Sequence, residues 1–342
     1  MGFYCGIDLH ARVSQVAVMN PQGEVVLNRQ VPNVLADVLA LLAPYGPGIH
    51  IAVESTFNWY WLVDGLQAAG HDVHLGHPLK LALITKAKVK TDRKDAVCLA
   101  DRLRKDDFPE AYIYPKATRP LRDLVRQRGR LVVARAREYA GVRLRLYREG
   151  ILDHSRNSAK TVTTEELDAL LHHPHVRPLV HQEQARIQLL SAQILQLEGA
   201  MLAALAGEAD YQRLRTLPGV GQALGAVILL ETGAVTRFAS ARHYASYCRL
   251  IPGCAESAGK VRGGRGRKQG NAYLKAAYTQ AATHAVRTDA KVRSWYDRLK
   301  ARHPGRGSVP IATNVIGHKL ALAAYSILKE GTEYHEHLLF GN

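Results

Sequence analysis

The sequence predicts an α/β region followed by a predominantly helical one, and three observations support that division. Short apolar segments bounded by turn residues fill the first part of the chain, with helical spacing between the later ones. From Pro120 to Glu149, and again from about Val176 to Leu205, the period becomes three to four residues with few breakers. Beyond Leu205, further helical stretches are separated by Pro- and Gly-bearing turns. Three parts are therefore expected, residues 1–115, 116–206 and 207–342.

Residues 3–9, 13–19 and 24–31 alternate or run apolar, and Asn20-Pro21-Gln22-Gly23 marks a turn, which predicts three antiparallel strands. Leu35 to Leu42 has helical spacing and stops at Pro44 and Gly46. A fourth strand covers His50 to Ser55, Trp59 to Ala69 is a helix closed by Gly70, and His71 to Leu75 is a short fifth strand. The next helix opens at Asp92, with Thr91 as N-cap and an apolar row through Val97, Leu99, Ala100 and Leu103.

Four carboxylates stand out against this background. Asp8 and Glu54 each end an apolar strand, where a charge costs desolvation unless something positive is paired with it. Asp92 and Asp95 share one face of a first helical turn, where they could also serve the helix dipole alone. Four such groups from two strands and one helix could converge on a divalent cation, and hard oxygen donors favour Mg²⁺. His71, His74 and His77 read as surface groups rather than as a metal site.

The chain has 342 residues, with 46 Lys and Arg against 30 Asp and Glu, a formal charge of +16. Such an excess favours a polyanionic partner, nucleic acid above all. Four cysteines, Cys5, Cys98, Cys248 and Cys254, form no C-x-x-C and point to a reducing, cytoplasmic setting rather than to disulfides or structural zinc. No uninterrupted run of about 18 apolar residues suggests a membrane segment. The first long helix carries Arg122, Arg126, Arg130 and Arg137 among many arginines with few acids, which reads as a surface that follows phosphates. The second long helix repeats Ile187, Leu190, Ile194, Leu197 and Met201, as in an antiparallel hairpin or an oligomerising coiled coil.

Leu217-Pro218-Gly219-Val220-Gly221 resembles a helix-hairpin-helix turn, in which Gly219 and Gly221 let backbone N–H groups approach a phosphate at a helix N-terminus. After a helix expected over Phe238 to Leu250, residues 251–270 read as a glycine-rich loop. Its cations Lys260, Arg262, Arg265, Arg267 and Lys268 suit a phosphate backbone, and Ser257 is its hydroxyl. Nothing in the local sequence activates that serine as a nucleophile.

Taken in order, Gly6-Ile7-Asp8, Val53-Glu54-Ser55-Thr56, Thr91-Asp92-Arg93-Lys94-Asp95-Ala96, Leu217-Pro218-Gly219-Val220-Gly221 and Glu256-Ser257 resemble the DEDD-type transposases of insertion sequence 110 and its relatives. The resemblance spans nearly the whole chain, although Ser257 is followed here by Ala258 where the family usually has glycine. It implies an RNase H-like catalytic domain, a coiled-coil linker and a mainly α C-terminal domain carrying an essential serine. It further implies a recombinase that joins element and target double-stranded DNA, guided by a structured non-coding RNA, as a homodimer pairing into a tetramer. By position, the tetrad is Asp8, Glu54, Asp92 and Asp95, which would hold Mg²⁺, and Ser257 would form a phosphoserine intermediate.

Three rival readings use the same residues differently. A metal-dependent nuclease or Holliday-junction resolvase would pair the four acids with water as nucleophile. A sugar-kinase or actin-type ATPase would use Gly6-Ile7-Asp8-Leu9 as a phosphate loop, but no second Asp-Gly-Thr loop completes it. A non-catalytic nucleic-acid binder would tolerate loss of the acids.

Overall fold

The computed structural model describes residues 2–84, 91–150, 163–252, 254–257, 260–263 and 269–340, and the chain divides into two compact units, Met1–Lys116 and Ala117–Asn342. The first unit is α/β. Strands β1 (Tyr4–Leu9), β2 (Val13–Met19) and β3 (Val25–Pro32) form an antiparallel meander, as the turn at residues 20–23 requires. Helix α1 (Leu35–Leu42) then leads to β4 (His50–Glu54), α2 (Trp59–Ala68) and β5 (Asp72–Gly76), and these later strands add in parallel to give the order β3-β2-β1-β4-β5. A short helix α3 (Pro78–Ile84) and the longer α4 (Asp92–Arg104) complete the unit. Helix α3 lies in a stretch between the expected fifth strand and the helix at Asp92 for which the sequence predicted no element.

Strand alternation sorts the side chains onto two faces. Cys5, Ile7, Leu9, Ile51 and Val53 point to a core closed by Val38 and Leu42 of α1 and Leu62 and Leu66 of α2. The other face presents Gly6 and Ala52, and Ala52 packs with Leu81 and Leu99 under α4. Gly6 sets how closely that helix lies: a Cβ there would stand 2.0 Å from the Ala96 carbonyl oxygen and 2.7 Å from the Ala100 nitrogen. Helix backbone therefore rests directly on strand backbone.

The second unit is mainly helical. Helices α5 (Arg119–Arg148) and α7 (Arg177–Leu205) are its longest, with α6 (Thr164–Leu170) between them in sequence. Arg128 bonds Glu198, Arg135 bonds Ser191 and Arg145 bonds Glu183, so contacts advance along one long helix as they retreat along the other, and the pair is antiparallel. Next come α8 (Ala209–Leu214), α9 (Gln222–Thr232) and α10 (Ala241–Tyr247), then a two-stranded hairpin, β6 (Cys254–Ser257) and β7 (Lys260–Gly263). The chain ends in α11 (Ala272–Thr288), α12 (Ala290–Arg302), α13 (Ser308–Glu330) and α14 (His337–Phe340). The helix expected over 238–250 is shorter than its pattern, because Ser240 caps its start and Arg249 turns left-handed after its end. Part of the expected glycine-rich loop is hairpin, since four alternating residues per strand leave little sequence signal.

Small residues let α11 and α13 meet closely, with Ala277, Ala281, Ala282, Ala321 and Ala324 in one core. The Tyr244 hydroxyl sits at its centre, 2.8 Å from the Thr232 hydroxyl and 2.7 Å from that of Tyr278. Both α7 and α13 reach the length and mean hydropathy of a membrane span; α13 is half buried in this core and α7 runs along α5. Cys5, Cys98 and Cys248 are free thiols.

Candidate active site and nucleic-acid surface

Parallel pairing aligns Ile7 with Val53, so the next residues, Asp8, one short of the end of β1, and Glu54, the last of β4, lie side by side. Asp8 is almost inaccessible, at 4% exposure. The close seat of α4 on Gly6 carries the first helical turn, with Asp92 and Asp95, to the same end of the sheet. Two further bonds hold that turn. The Thr91 hydroxyl accepts from the Lys94 N–H at 3.4 Å, and the Asn28 amide on β3 donates to the Arg93 carbonyl at 3.2 Å. Asn28 is itself fixed by Gln15 of β2 at 2.6 Å.

A fifth residue joins the acids. His10 Nε2 lies 3.3 Å from Asp8 Oδ2 and 3.3 Å from Asp92 Oδ2. One donor atom from each of Asp8, His10 and Asp92 falls within 4.8 Å of the others. The β1–β2 turn that presents His10 is pinned through its carbonyl, which accepts from the Asn33 and Asn58 amides at 2.8 and 3.0 Å. No periodic pattern marks a histidine in a turn; its position two residues after Asp8 was the one available signal.

The electrostatics follow from this crowding. The Asp8 carboxyl is pushed up to about 6, by burial above all and by the charges of Glu54, Asp92 and Asp95, against which His10 pulls it down. Three carboxylates thus act on Asp8, and a divalent cation would neutralise that field. The donor set fits such an ion: carboxylate oxygens from two strand ends and a helix start, with one imidazole beside them.

The expected nucleic-acid contacts divide. Arg122 is buried and Arg126 largely so; both donate to Glu231 of α9, as does the Asn271 amide at 2.7 Å. Burial opposes the Glu231 charge, but Arg126, Arg122 and Asn271 outweigh it and hold the carboxyl below its usual range. These two arginines are therefore structural partners of a buried acid rather than members of an open cationic row. The count of like charges along α5 missed this, because the compensating acids Glu231, Glu198 and Glu183 belong to other helices. Arg130 and Arg137 are exposed. They line a cavity of about 420 Å³ with Val133, Tyr273 and Gln280, and the Arg126 guanidinium lies 4.2 Å from the centre of the Tyr273 ring.

Gly219 has φ +75°, and a Cβ there would meet the Ala281 carbonyl at 2.1 Å, so its freedom serves a tight contact with α11. Gly221 caps α9 in open space and borders a cavity of about 570 Å³ with Arg128, Arg215 and His284. Ser257 ends β6 and pairs with Lys260, while Arg262 pairs with Ala255. Arg265, Arg267 and Lys268 lie outside the described residues.

The chain is similar to known transposases. The DEDD transposase model of IS110 elements matches residues 5–146, and that of the transposase IS116/IS110/IS902 family matches residues 211–297. A probable family 20 transposase of Pseudomonas aeruginosa is 26% identical over 96% of this chain and 97% of its own length. The IS110 uncharacterized 43.6 kDa protein of Streptomyces coelicolor is 30% identical over 37% of this chain and 31% of its own length. The IS900 uncharacterized 42 kDa protein of Mycobacterium paratuberculosis is 25% identical over 97% of both. With two models of one family matching in order along the chain, and carboxylates gathered at one end of the first sheet, this protein belongs to the IS110 family of transposases, enzymes that act on DNA.

Proposed function

We propose that this transposase is an RNA-guided recombinase whose first unit is RNase H-like and whose nucleophile is Ser257. In this reading Asp8, Glu54, Asp92 and Asp95 hold Mg²⁺, and three regions share the work: the acids in 1–115, the long helices in 116–206 and the serine in 207–342. The observation that carries it is the approach of Asp92 to Asp8 around His10, with Glu54 and Asp95 near enough to raise the proton affinity of Asp8. The sheet order, an antiparallel meander extended by two parallel strands, supports the fold assignment.

When bound, the cation would polarise the scissile phosphate and stabilise the leaving oxygen. The Ser257 oxygen attacks phosphorus, the bond to the leaving strand breaks, and the departing oxygen takes up a proton. The resulting phosphoserine ester conserves the phosphodiester energy, so rejoining to a new strand needs no nucleotide cofactor. Lys260 and Arg262, next to the serine on the hairpin, with Arg265, Arg267 and Lys268, would screen phosphate charge. Arg130 and Arg137 supply further backbone contacts, and Gly221 opens α9 to a phosphate as in a helix-hairpin-helix. Element and target DNA are chosen by pairing with a structured guide RNA encoded by the element, and the protein reads shape and backbone. Exchange between two duplexes calls for several active sites, which a homodimer pairing into a tetramer provides, in the bacterial cytoplasm at the nucleoid.

The test combines purified protein, Mg²⁺, RNA transcribed from the flanks of the element and labelled junction DNA. A protease-sensitive protein–DNA adduct is expected with wild type, and none with Ser257→Ala, which should bind but not cut. Cleavage by Ser257→Ala would make water the nucleophile and the protein a metal-dependent nuclease or junction resolvase.

A further inference from the structure

The second cluster of metal-donor side chains lies at the other end of the same sheet. His50 opens β4 and pairs in register with Asp72, which opens β5; His74 follows Asp72 on the same face. Glu54 closes β4 four residues on, so about 13 Å of strand separates this cluster from the acids.

Asp72 is its centre. Its Oδ2 lies 2.7 Å from His50 Nδ1 and 3.0 Å from His74 Nε2. One donor atom from each of the three residues falls within 4.8 Å of the others. Both rings are held in place by further contacts. His50 stacks on Tyr4 with ring centres 5.4 Å apart, and the second nitrogen of His74, Nδ1, meets Glu110 Oε1 at 2.5 Å. That last bond matters, because a metal-bound imidazole characteristically gives its outer N–H to a carboxylate, which fixes its tautomer and raises its basicity.

We propose that His50, Asp72 and His74 form a transition-metal site, zinc being the ion its donors fit, with Glu110 as the outer carboxylate that orients His74. Two imidazoles and one carboxylate are the borderline donor set of zinc, whereas Mg²⁺ prefers oxygen alone. A tetrahedral ion needs donors about 3.3 Å apart, so only a small widening around Asp72 Oδ2 is required. Binding replaces the protons that now bridge the imidazoles and the carboxylate, and these pass to solvent. The sequence hid the site because His74 sits in a row with His71 and His77, while His50 and Glu110, which complete the cluster around Asp72 and His74, lie 24 and 36 residues from His74.

The consequence for the fold is a clip. β5 is the edge strand of the sheet, and the ion would tie its start to β4. Through Glu110 it would also engage the segment that follows α4, the helix carrying Asp92 and Asp95.

The test uses the full chain, stripped with chelator and titrated with ZnCl₂ against a chromophoric competitor, then with Co²⁺ while visible absorption is followed. Wild type is expected to take up one tight zinc equivalent and to give a Co²⁺ band. His50→Gln and His74→Gln should each abolish that tight equivalent, and Glu110→Gln should weaken it by about 10–100-fold. The Asp8→Asn, Asp92→Asn double variant should keep it, which separates this site from the acids. Far-UV circular dichroism checks each fold, and Asp72→Asn, which preserves side-chain size, replaces any histidine variant that loses helical signal. The proposal fails if wild type binds no zinc, if the histidine variants and Asp72→Asn bind it as wild type does, or if the equivalent disappears with Asp8 and Asp92.

Discussion

Replacing Gly6 by alanine tests how the acids are brought together. The added Cβ would stand 2.0 Å from the Ala96 oxygen, 2.7 Å from the Ala100 nitrogen and 2.9 Å from the Leu99 Cβ, and real Cβ contacts essentially never fall under 3.0 Å. The first two obstacles are main-chain atoms of α4, so no rotamer change relieves them. The helix must retreat by about 1 Å, at a packing cost of about 1–3 kcal/mol. Asp92 and Asp95 move with it while Asp8 and Glu54 stay on the sheet. A displacement of that size lowers turnover by about 10²-fold, and Mn²⁺ affinity, followed by the free-ion resonance signal, should fall about tenfold or more. Gly65→Ala is the control, because its Cβ meets the Leu35 side chain, which can rotate away. If Gly6→Ala bound Mn²⁺ and cut junction DNA within twofold of wild type, α4 backbone contact would not be what sets the site.

Asp8 gives a pH-dependent prediction. Its carboxyl holds a proton more tightly folded, at about 6, than in the open chain, near 3.8, so the metal-free fold loses stability as pH rises from about 4 through 6. Asp8→Asn removes that penalty, worth about 1–3 kcal/mol; in chelator its Tm should exceed wild type at about pH 7.5 and match it at about pH 4, and equal Tm values at both would refute the assignment. Glu231→Ala leaves two guanidinium groups without their buried partner and should cost about 3–5 kcal/mol by urea denaturation. A loss under about 1 kcal/mol would show that Arg122 and Arg126 find other partners. The Arg130→Gln, Arg137→Gln double variant should lower the salt dependence of nucleic-acid binding by about two counterions while leaving Tm unchanged. An unchanged salt slope would remove both residues from the interface.

The sequence was most readable where one residue type repeats along one element. Alternation in residues 3–9 and 13–19 and the three-to-four spacing of α5 and α7 mark elements to within a residue or two, because each buries one face and the pattern records it. The acids stood out for a related reason: a charge ending an apolar strand is an exception that needs a cause. His10 carried no such mark, since a turn has no buried face to interrupt. The fate of Arg122 and Arg126 was equally hidden, because their partner Glu231 lies more than one hundred residues away and only tertiary packing brings it near. Gly219 shows the same limit: a glycine that frees backbone for a phosphate and one that admits a neighbouring helix look identical in one dimension.

The carboxylate of Glu231 has a bearing on how the second unit assembles. Its oxygens take hydrogen bonds from α5 through Arg122 and Arg126 and from Asn271, which caps α11. A partly docked state, with α9 seated against only one of these helices, would strand an ionised group or a guanidinium away from water. Such a state is penalised by several kcal/mol, which favours closure of the three helices in one step and a single sharp transition over stepwise fraying.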